Sequence, residues 1–178
     1  DRLDAMRVAA QLGIEFKTWD FSAEYGKKVA DYMIDGYRAG ITPNPDVMCN
    51  KEIKFGLFLR KALAEGAHYI ATGHYAIVKR KAKSVKLFKA KDKNKDQTYF
   101  LSFIKPEVLS YVLFPVGEYT KPQVRALART FGLPNAERKE SQGICFIGKV
   151  DFEDFLRIHI SSVPGNIFDA KEKNIGKH

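Results

Sequence analysis

The chain has 178 residues, of which 45% are hydrophobic and 12% aromatic, and its formal net charge is +9. This length suits one ordinary domain, and so apolar a composition excludes a chain that is disordered throughout. No run approaches the roughly 18 consecutive apolar residues of a membrane span, and the first residues lack the apolar core of a signal peptide, so we expect no membrane partner.

Apolar periodicity ended by glycine predicts three helices in the first part of the chain, at 1–12, at 22–39 with Ser22 as the cap, and at about 51–65. Alternating branched and aromatic residues predict a strand at 14–19, and a short apolar run predicts another at 68–72. Two prolines predict a stiff loop at 41–49. This alternation indicates an α/β fold with a parallel sheet, in which ligands bind beyond the carboxyl ends of the strands.

The second half continues the same pattern. Residues 75–90 are expected to form a β-hairpin or a longer basic excursion, and Asp96 is expected to cap a short helix. A capping box at 120–123, with proline in the first turn, predicts a helix that ends before Gly132. We also expect a short strand at 144–147 and a last helix over 151–158, capped by its first residue, Asp151.

The positive charge is concentrated in one segment. Residues 79–95 hold nine basic side chains and one acid, whereas the rest of the chain is close to neutral. Such a patch is typical of a surface that contacts phosphate backbones. A solvated hairpin with a lysine-rich tip would show the same pattern, so charge alone leaves both interpretations open.

The loop before the third predicted helix is the first candidate for chemistry. Asp46 lies three residues before Cys49, which directly precedes that helix. Backbone N–H groups at a helix N-terminus stabilise a thiolate, and a nearby carboxylate can move a proton. The alternative is an inert cysteine buried near a turn.

Cys145, in the strand at 144–147, is on its own better explained as a core residue. Two cysteines 96 positions apart do not resemble a secreted disulfide framework, so the cytosol is the expected compartment.

Two further motifs could bind a ligand. Gly73 follows a predicted strand and would let a nucleotide approach the backbone, with His74 beside it. Lys95 and Gln97 could contact phosphate or base edges. Taken alone, the first motif is better explained as an ordinary strand-end turn, and a capped helix start explains the second equally well. The cysteines and histidines lack the short paired spacing of zinc ligands, so no tightly bound metal is expected.

Taken together, five segments resemble one family: GITPNPDVMCNKEIKFG, ATGHYA, KDQTYFLS, FPVGEYTKPQVRALA and ESQGICFIG. In this order they are similar to the tRNA-specific 2-thiouridylases, the MnmA family, over residues 1–168. The resemblance implies a Rossmann-like domain of the adenine nucleotide alpha hydrolase (PP-loop) type over 1–148, with a tRNA-binding excursion at 79–95. The truncated start of a small central domain would follow over 149–178.

The same resemblance implies ATP-dependent sulfur transfer to C2 of the wobble uridine of tRNA, with Mg²⁺ accompanying the ATP. Cys145 would carry sulfur as a persulfide, supplied by a sulfur-donor protein or relay. Cys49 would release that sulfur, or resolve it as a Cys49–Cys145 disulfide. Asp46 would act as general acid/base, and Asn44, Pro45 and Asp46 would contact the flipped-out base.

For the remaining motifs, the resemblance implies that Gly73 contacts ATP and that His74, Lys95, Asp96 and Gln97 contact tRNA. The family's ATP-binding motif, Ser-Gly-Gly-x-Asp-Ser, does not occur in the sequence. The chain is therefore expected to be a piece of a longer enzyme, inactive alone, from the bacterial cytoplasm or a eukaryotic mitochondrion. The competing hypotheses are a non-catalytic RNA-binding module and another AMP-forming ligase, although such a ligase would not need paired thiols.

Overall fold

A computed structural model describes residues 2–81, 84–138, 152–161 and 163–177. The predicted strand at 144–147, Cys145 within it and the proposed cap Asp151 lie outside these residues. The predicted domain boundary between 148 and 149 also lies outside them, so the division into two domains stays a prediction.

Helices dominate the first part of the chain. α1 (Arg2–Leu12) ends at Gly13, whose φ of +63° is a left-handed value that glycine adopts without strain. Two longer helical runs follow, and each contains a π-helical segment with wider turns. The first run consists of α2 (Ser22–Tyr25), the first π segment (Gly26–Ala30) and α3 (Asp31–Arg38). The second consists of α4 (Pro45–Met48), the second π segment (Cys49–Phe58) and α5 (Leu59–Ala64).

The strand predicted at 14–19 is wrong, because this segment forms no strand. Ile14 is 59% exposed, and Lys17 Nζ donates to Glu65 Oε2 at 3.1 Å, so a side-chain contact attaches the segment to the end of α5. A strand needs a neighbour for its N–H and C=O groups. Within the described ranges, the paired strands lie elsewhere.

The second predicted helix is confirmed, but its cap is not. Ser22 is the first helical residue, Phe21 occupies the cap position without a side-chain bond, and Asp20 Oδ1 accepts the Ser22 backbone N–H at 2.8 Å. The Asp20 carboxylate therefore accepts a backbone N–H at the start of the helix, a role that we expected the Ser22 hydroxyl to fill. Val29 and Met33 are fully buried on the inward face of the run.

The strands confirm the α/β prediction. β1 (Ile70–Ala71) pairs in parallel with β4 (Val112–Leu113). The hairpin expected at 75–90 is formed by β2 (Ala76–Lys81) and β3 (Ser84–Lys89), which pair antiparallel. A second antiparallel pair, β5 (Asn166–Phe168) and β6 (Asn174–Lys177), lies near the end of the chain.

Short helical elements connect these strands. A 3₁₀ turn (Thr98–Leu101) and α6 (Pro106–Leu109) lead into β4. α7 (Lys121–Thr130) begins with the predicted capping box, and α8 (Phe152–His159) is the helix expected over 151–158. Within the described part of the chain, no helix is long and apolar enough to cross a membrane.

Two apolar clusters form the interior. The larger joins the second π segment and α5 to the parallel strands and consists of Phe55, Leu59, Ala62, Ile70, Ala76, Leu101, Leu109, Val112 and Phe114. The smaller joins the two π segments and consists of Tyr25, Val29, Cys49 and Ile53. Because Cys49 belongs to the smaller cluster, packing of the core fixes the position of the candidate nucleophile.

Candidate active site

The helix that carries Cys49 begins earlier than predicted. Asn44 is its N-cap, with Oδ1 accepting the Val47 backbone N–H at 3.1 Å, and Pro45 is the first helical residue. The predicted loop is therefore confirmed only over 41–44, and its extension to Cys49 and the predicted helix start at Lys51 are wrong. Asn44-Pro45 is itself a helix-start signal, and Cys49 lies inside the helical run, one turn beyond its N-terminus.

Asp46 lies in the first turn of this helix, where the helix dipole favours a negative charge. Its Oδ1 atom is buried and has no hydrogen-bond partner among the described residues. Buried carboxylate oxygens are nearly always bonded, so an orphaned one requires an explanation. Once the surrounding residues move to admit a substrate, this oxygen can accept a hydrogen bond from it.

Cys49 is fully buried, with an exposed fraction of 0%. It is the first residue of the second π segment, where the tighter α4 turns give way to wider ones. π-helical turns are rare and recur at functional sites. In this conformation no substrate can reach the Cys49 thiol, so a reaction at sulfur requires the residues packed over it to move.

Sequence reasoning missed Asn50. This side chain is 2% exposed, its Nδ2 donates to the Phe100 carbonyl at 3.0 Å, and its buried Oδ1 has no hydrogen-bond partner within the described chain. The bond ties the Cys49 helix to the 3₁₀ turn. An amide directly after the cysteine was the only signal, and sequence alone did not show that it is buried.

Gly73 lines a cavity of about 440 Å³ at the end of β1. The other lining residues come from the following loops and from the start of α7, and are Tyr75, Asn94, Lys95, Asp96, Gln97, Phe100 and Lys121. A Cβ atom on Gly73 would meet nothing within 4 Å, so its backbone is open to an approaching ligand. The structure thus brings together the proposed ATP contact and three proposed tRNA contacts.

Asp96 and Gln97 hold this cavity in shape. Asp96 Oδ1 accepts the Ala90 N–H at 2.7 Å, and its Oδ2 accepts the Thr98 hydroxyl at 2.6 Å, so it does not cap a helix by bonding backbone N–H groups of the 3₁₀ turn. Gln97 Oε1 accepts the Tyr75 N–H at 2.9 Å. Both carboxylate oxygens and the amide oxygen are therefore engaged, whereas the amide NH₂ of Gln97 can still donate to a ligand.

His74 is half-buried between two aromatic rings, with ring centroids 5.7 Å from Phe55 and 5.9 Å from Phe114. Its Nδ1 lies 2.8 Å from the Thr72 hydroxyl. Burial, and then the charge of Lys54, lower the pKa of His74 to about 4. His74 is therefore neutral at pH 7 and can stack or form neutral hydrogen bonds, but it cannot act as a cation toward tRNA.

The lowered pKa of His74 predicts that the folded protein loses stability in acid. Between its unfolded value near 6.5 and its folded value of about 4, the unfolded chain binds the proton more readily. Stability supplied by neutral His74 should be complete above pH 6.5 and be lost as the pH falls toward 4, by up to about 3 kcal/mol. Chemical denaturation at a series of pH values should show this slope. His74→Phe, which keeps an aromatic ring between Phe55 and Phe114, should flatten it, and equal slopes for both proteins would contradict the prediction.

The basic segment 79–95 contains charges of two kinds. The Arg80 guanidinium donates to the carbonyls of Leu109 and Val112 and stacks on Tyr69, so it attaches the hairpin to β4. Lys79 lies over Phe88, whereas Lys81, Lys86 and Lys89 are exposed. Part of the positive charge is thus structural, and the rest is accessible to phosphates.

The two groups of candidate residues are linked but not merged. Asn44, Asp46 and Cys49 lie on the helix start, Gly73 and Lys95 lie on the cavity, and the Asn50–Phe100 bond connects the two groups through the 3₁₀ turn. Cys145 lies outside the described residues, so the convergence of both thiols on one cleft stays a prediction. Over 2–81, 84–138, 152–161 and 163–177, no three His, Cys, Asp or Glu side chains are grouped so as to hold a metal.

The profile of one protein family, described as the tRNA methyl transferase HUP domain, matches residues 1–149. This chain belongs to that family. The match confirms the Rossmann-like fold class, with its parallel sheet and surrounding helices. The similarity to the 2-thiouridylases indicated by the five motifs is confirmed by curated relatives along the whole chain.

Three relatives illustrate this similarity. A tRNA-specific 2-thiouridylase MnmA of Akkermansia muciniphila is 49% identical over 178 residues, and that of Halalkalibacterium halodurans is 51% identical over 178 residues. The tRNA-specific 2-thiouridylase MnmA 2 of Aliarcobacter butzleri is 47% identical over 175 residues. These alignments cover 100%, 100% and 98% of this chain and 50%, 48% and 48% of the respective relatives. This HUP-domain chain therefore spans about half the length of the curated relatives it matches.

Proposed function

We propose that this chain, as part of a longer enzyme, takes part in ATP-dependent sulfur transfer to C2 of the wobble uridine of tRNA. The observation that carries the proposal is its identity of about one half, along its whole length, with proteins named tRNA-specific 2-thiouridylases. The linked arrangement of Asp46 and Cys49 with the Gly73 cavity supports it.

The C2 carbonyl of uridine is a poor electrophile with a poor leaving group, so it must be activated before sulfur can enter. ATP, with Mg²⁺ on its phosphates, supplies that activation by making AMP the leaving group. The cavity suits such a ligand because Gly73 leaves room at the backbone and because Lys95 and Lys121 lie on its wall. The Gly73 backbone would hold the nucleotide, and both ammonium groups are suited to phosphate.

At the start of the Cys49 helix, the target base would be bound in its extruded form, because a stacked base cannot be reached. Asn44 uses its Oδ1 as the helix cap, so its Nδ2 group would donate to a base carbonyl. Pro45 would border the base. The unpartnered Oδ1 of Asp46 would exchange a proton with the base as C2 changes its bonding.

The two cysteines would share the sulfur chemistry. The terminal sulfur of a Cys145 persulfide attacks C2, the C2–O bond breaks and AMP leaves. The Cys49 thiolate then attacks Cys145 Sγ, which forms a Cys49–Cys145 disulfide and leaves the sulfur on C2. In the alternative order, Cys49 first releases hydrosulfide from the persulfide and the hydrosulfide attacks C2. Either order consumes one persulfide and leaves one disulfide, which an external thiol must reduce.

The proposal is tested by incubating unmodified tRNA with the full-length protein, ATP, Mg²⁺ and a small-molecule persulfide as sulfur donor, followed by mass spectrometry of the digested nucleosides. We expect 2-thiouridine to form, and to require ATP. A full-length protein that binds tRNA and ATP but forms no 2-thiouridine would overturn the proposal. It would favour the second candidate, an RNA-binding module that uses the exposed lysines of the β2–β3 hairpin and is indifferent to both cysteines.

A further inference from the structure

A second, smaller cavity of about 200 Å³ lies beside the segment that follows the 3₁₀ turn. The second π segment, α5 and the start of α6 form its walls, and its lining residues are Lys51, Glu52, Phe55, Gly56, Arg60, Phe103, Ile104, Lys105 and Val108. Lys51, Glu52, Phe55 and Gly56 belong to the segment that also carries Cys49, but none of the nine lining residues has been given a role in catalysis or binding. Three cations and one carboxylate surround it.

The cations of this cavity are incompletely paired. Glu52 is held by Lys28 at 2.8 Å and by Lys51 at 3.2 Å, so its negative charge is already matched. Arg60 and Lys105 are exposed and form no ion pair with any carboxylate in the described part of the chain. The cavity therefore presents net positive charge to solvent, which is the condition for binding an anionic group.

Exposed aromatic rings accompany these cations. Phe103, on the cavity wall, is 63% exposed, and Tyr99, four residues earlier, is 65% exposed. Between them in sequence, Phe100 lines the Gly73 cavity. One short segment, 99–105, thus runs from the first cavity to the second with large rings open to solvent.

We propose that Lys51, Arg60, Tyr99, Phe103 and Lys105 form a basic–aromatic surface that binds an unpaired stretch of the tRNA substrate. The cations contact backbone phosphates and the rings stack on bases, a combination typical of single-stranded nucleic-acid binding. An acidic protein would be attracted by the charges but would not require two exposed rings, and the segment that carries the rings also supplies Phe100 to the wall of the cavity that holds Lys95 and Gln97. The inference rests on the proposed function, because it supposes a tRNA substrate.

The charge contribution is tested with the double variant Arg60→Gln/Lys105→Gln of the full-length protein. Its affinity for unmodified tRNA is measured by fluorescence anisotropy over a range of KCl concentrations. Loss of two phosphate contacts should weaken binding and reduce the slope of log K against log salt by about 1.4, since each single-strand contact contributes about 0.7. The matched control is Arg7→Gln/Lys27→Gln, which removes two exposed cations that line neither cavity and should leave the slope unchanged.

The ring contribution has a different signature. Phe103→Ala should weaken tRNA binding by roughly 5- to 100-fold through lost stacking, with the salt slope unchanged. Because the ring is mostly exposed, the variant should keep its melting temperature, which circular dichroism would verify. We expect both variants to lose tRNA affinity, but only Arg60→Gln/Lys105→Gln to change the salt slope. This pair of results would identify a surface that contacts both phosphate and base.

Three outcomes would overturn the inference. If the wild type binds and thiolates tRNA while Arg60→Gln/Lys105→Gln matches the control in affinity and slope, the surface does not bind tRNA and the proposed function stands. If the variant keeps tRNA affinity but loses thiolation only when a sulfur-donor protein replaces the small-molecule persulfide, the surface binds that protein. If the wild type itself fails to bind tRNA, the surface and the proposed function both fail.

Discussion

Replacing Cys49 by Ser in the full-length enzyme is expected to lower 2-thiouridine formation by at least about 1,000-fold, with tRNA affinity nearly intact. A serine hydroxyl is not ionised at neutral pH and cannot form a disulfide, so it can neither attack Cys145 nor release its sulfur. Cys145→Ser should be equally inactive, and the double variant should be no worse, because in the proposed mechanism both thiols act in one sequence of steps. Single-turnover assays with nucleoside mass spectrometry measure these rates.

Intact-protein mass spectrometry separates the two roles. After exposure to a sulfur donor, Cys49→Ser should retain a persulfide on Cys145, whereas Cys145→Ser should carry none. Met48→Leu is the matched control, since it conserves volume at a half-buried neighbouring position and should keep activity. Substantial 2-thiouridine formation by either serine variant would contradict the assigned roles.

Because Cys49 is buried, serine could inactivate the protein by destabilising it, and a second variant at this position is needed to separate the two effects. Cys49 lies among Tyr25, Val29 and Ile53, where a serine hydroxyl would cost about 1–3 kcal/mol of stability if it found no partner. Cys49→Ala introduces no polar group and should also be inactive. Loss of activity in both variants, measured on protein that thermal melting shows to be folded, attributes the defect to the missing thiol.

The start of the Cys49 helix was misplaced because the prolines were interpreted only as loop formers. Proline at the first helical position loses no hydrogen bond, and the asparagine before it caps the helix, so the two residues begin a helix. The error matters for chemistry, because a cysteine inside a packed helix is shielded whereas one directly before a helix is not. The local sequence thus contained the signal for a helix start, but the prediction followed the general preference of proline for loops.

Other features depended on contacts that a local pattern does not contain. The environment of His74 comes from Phe55 and Phe114, which are far from it in sequence, and the burial of Asn50 comes from its bond to Phe100. Likewise, β4 has two residues, too few for any periodicity. By contrast, the α7 capping box and the β2–β3 hairpin were predicted correctly, because their signals lie within a few residues of each other.

Gly117→Ala is expected to lower the free energy of unfolding by about 3 kcal/mol, at the upper end of what overpacking costs. A Cβ atom on Gly117 would lie 1.8 Å from the Ala76 carbonyl oxygen and 3.1 Å from Ile77 Cγ1, so backbone has to move. The Gly117 carbonyl also accepts the Lys91 N–H at 2.9 Å, which fixes this turn against the end of the hairpin. A shift of Ala76 would reach the Gly73 cavity through the neighbouring Tyr75, so the proposed binding of ATP and tRNA should weaken as well.

The matched control is Gly26→Ala. Gly26 has a right-handed φ of −49°, and a Cβ atom there would meet nothing within 4 Å. Replacing a helical glycine that has room for a methyl group should raise stability by about 0.4–1 kcal/mol, because it restricts the unfolded chain. Urea denaturation of the two variants under identical conditions should therefore give changes of opposite sign. A stability loss at Gly117 no larger than the change at Gly26 would show that the contact with Ala76 relaxes at little cost and does not fix the cavity wall.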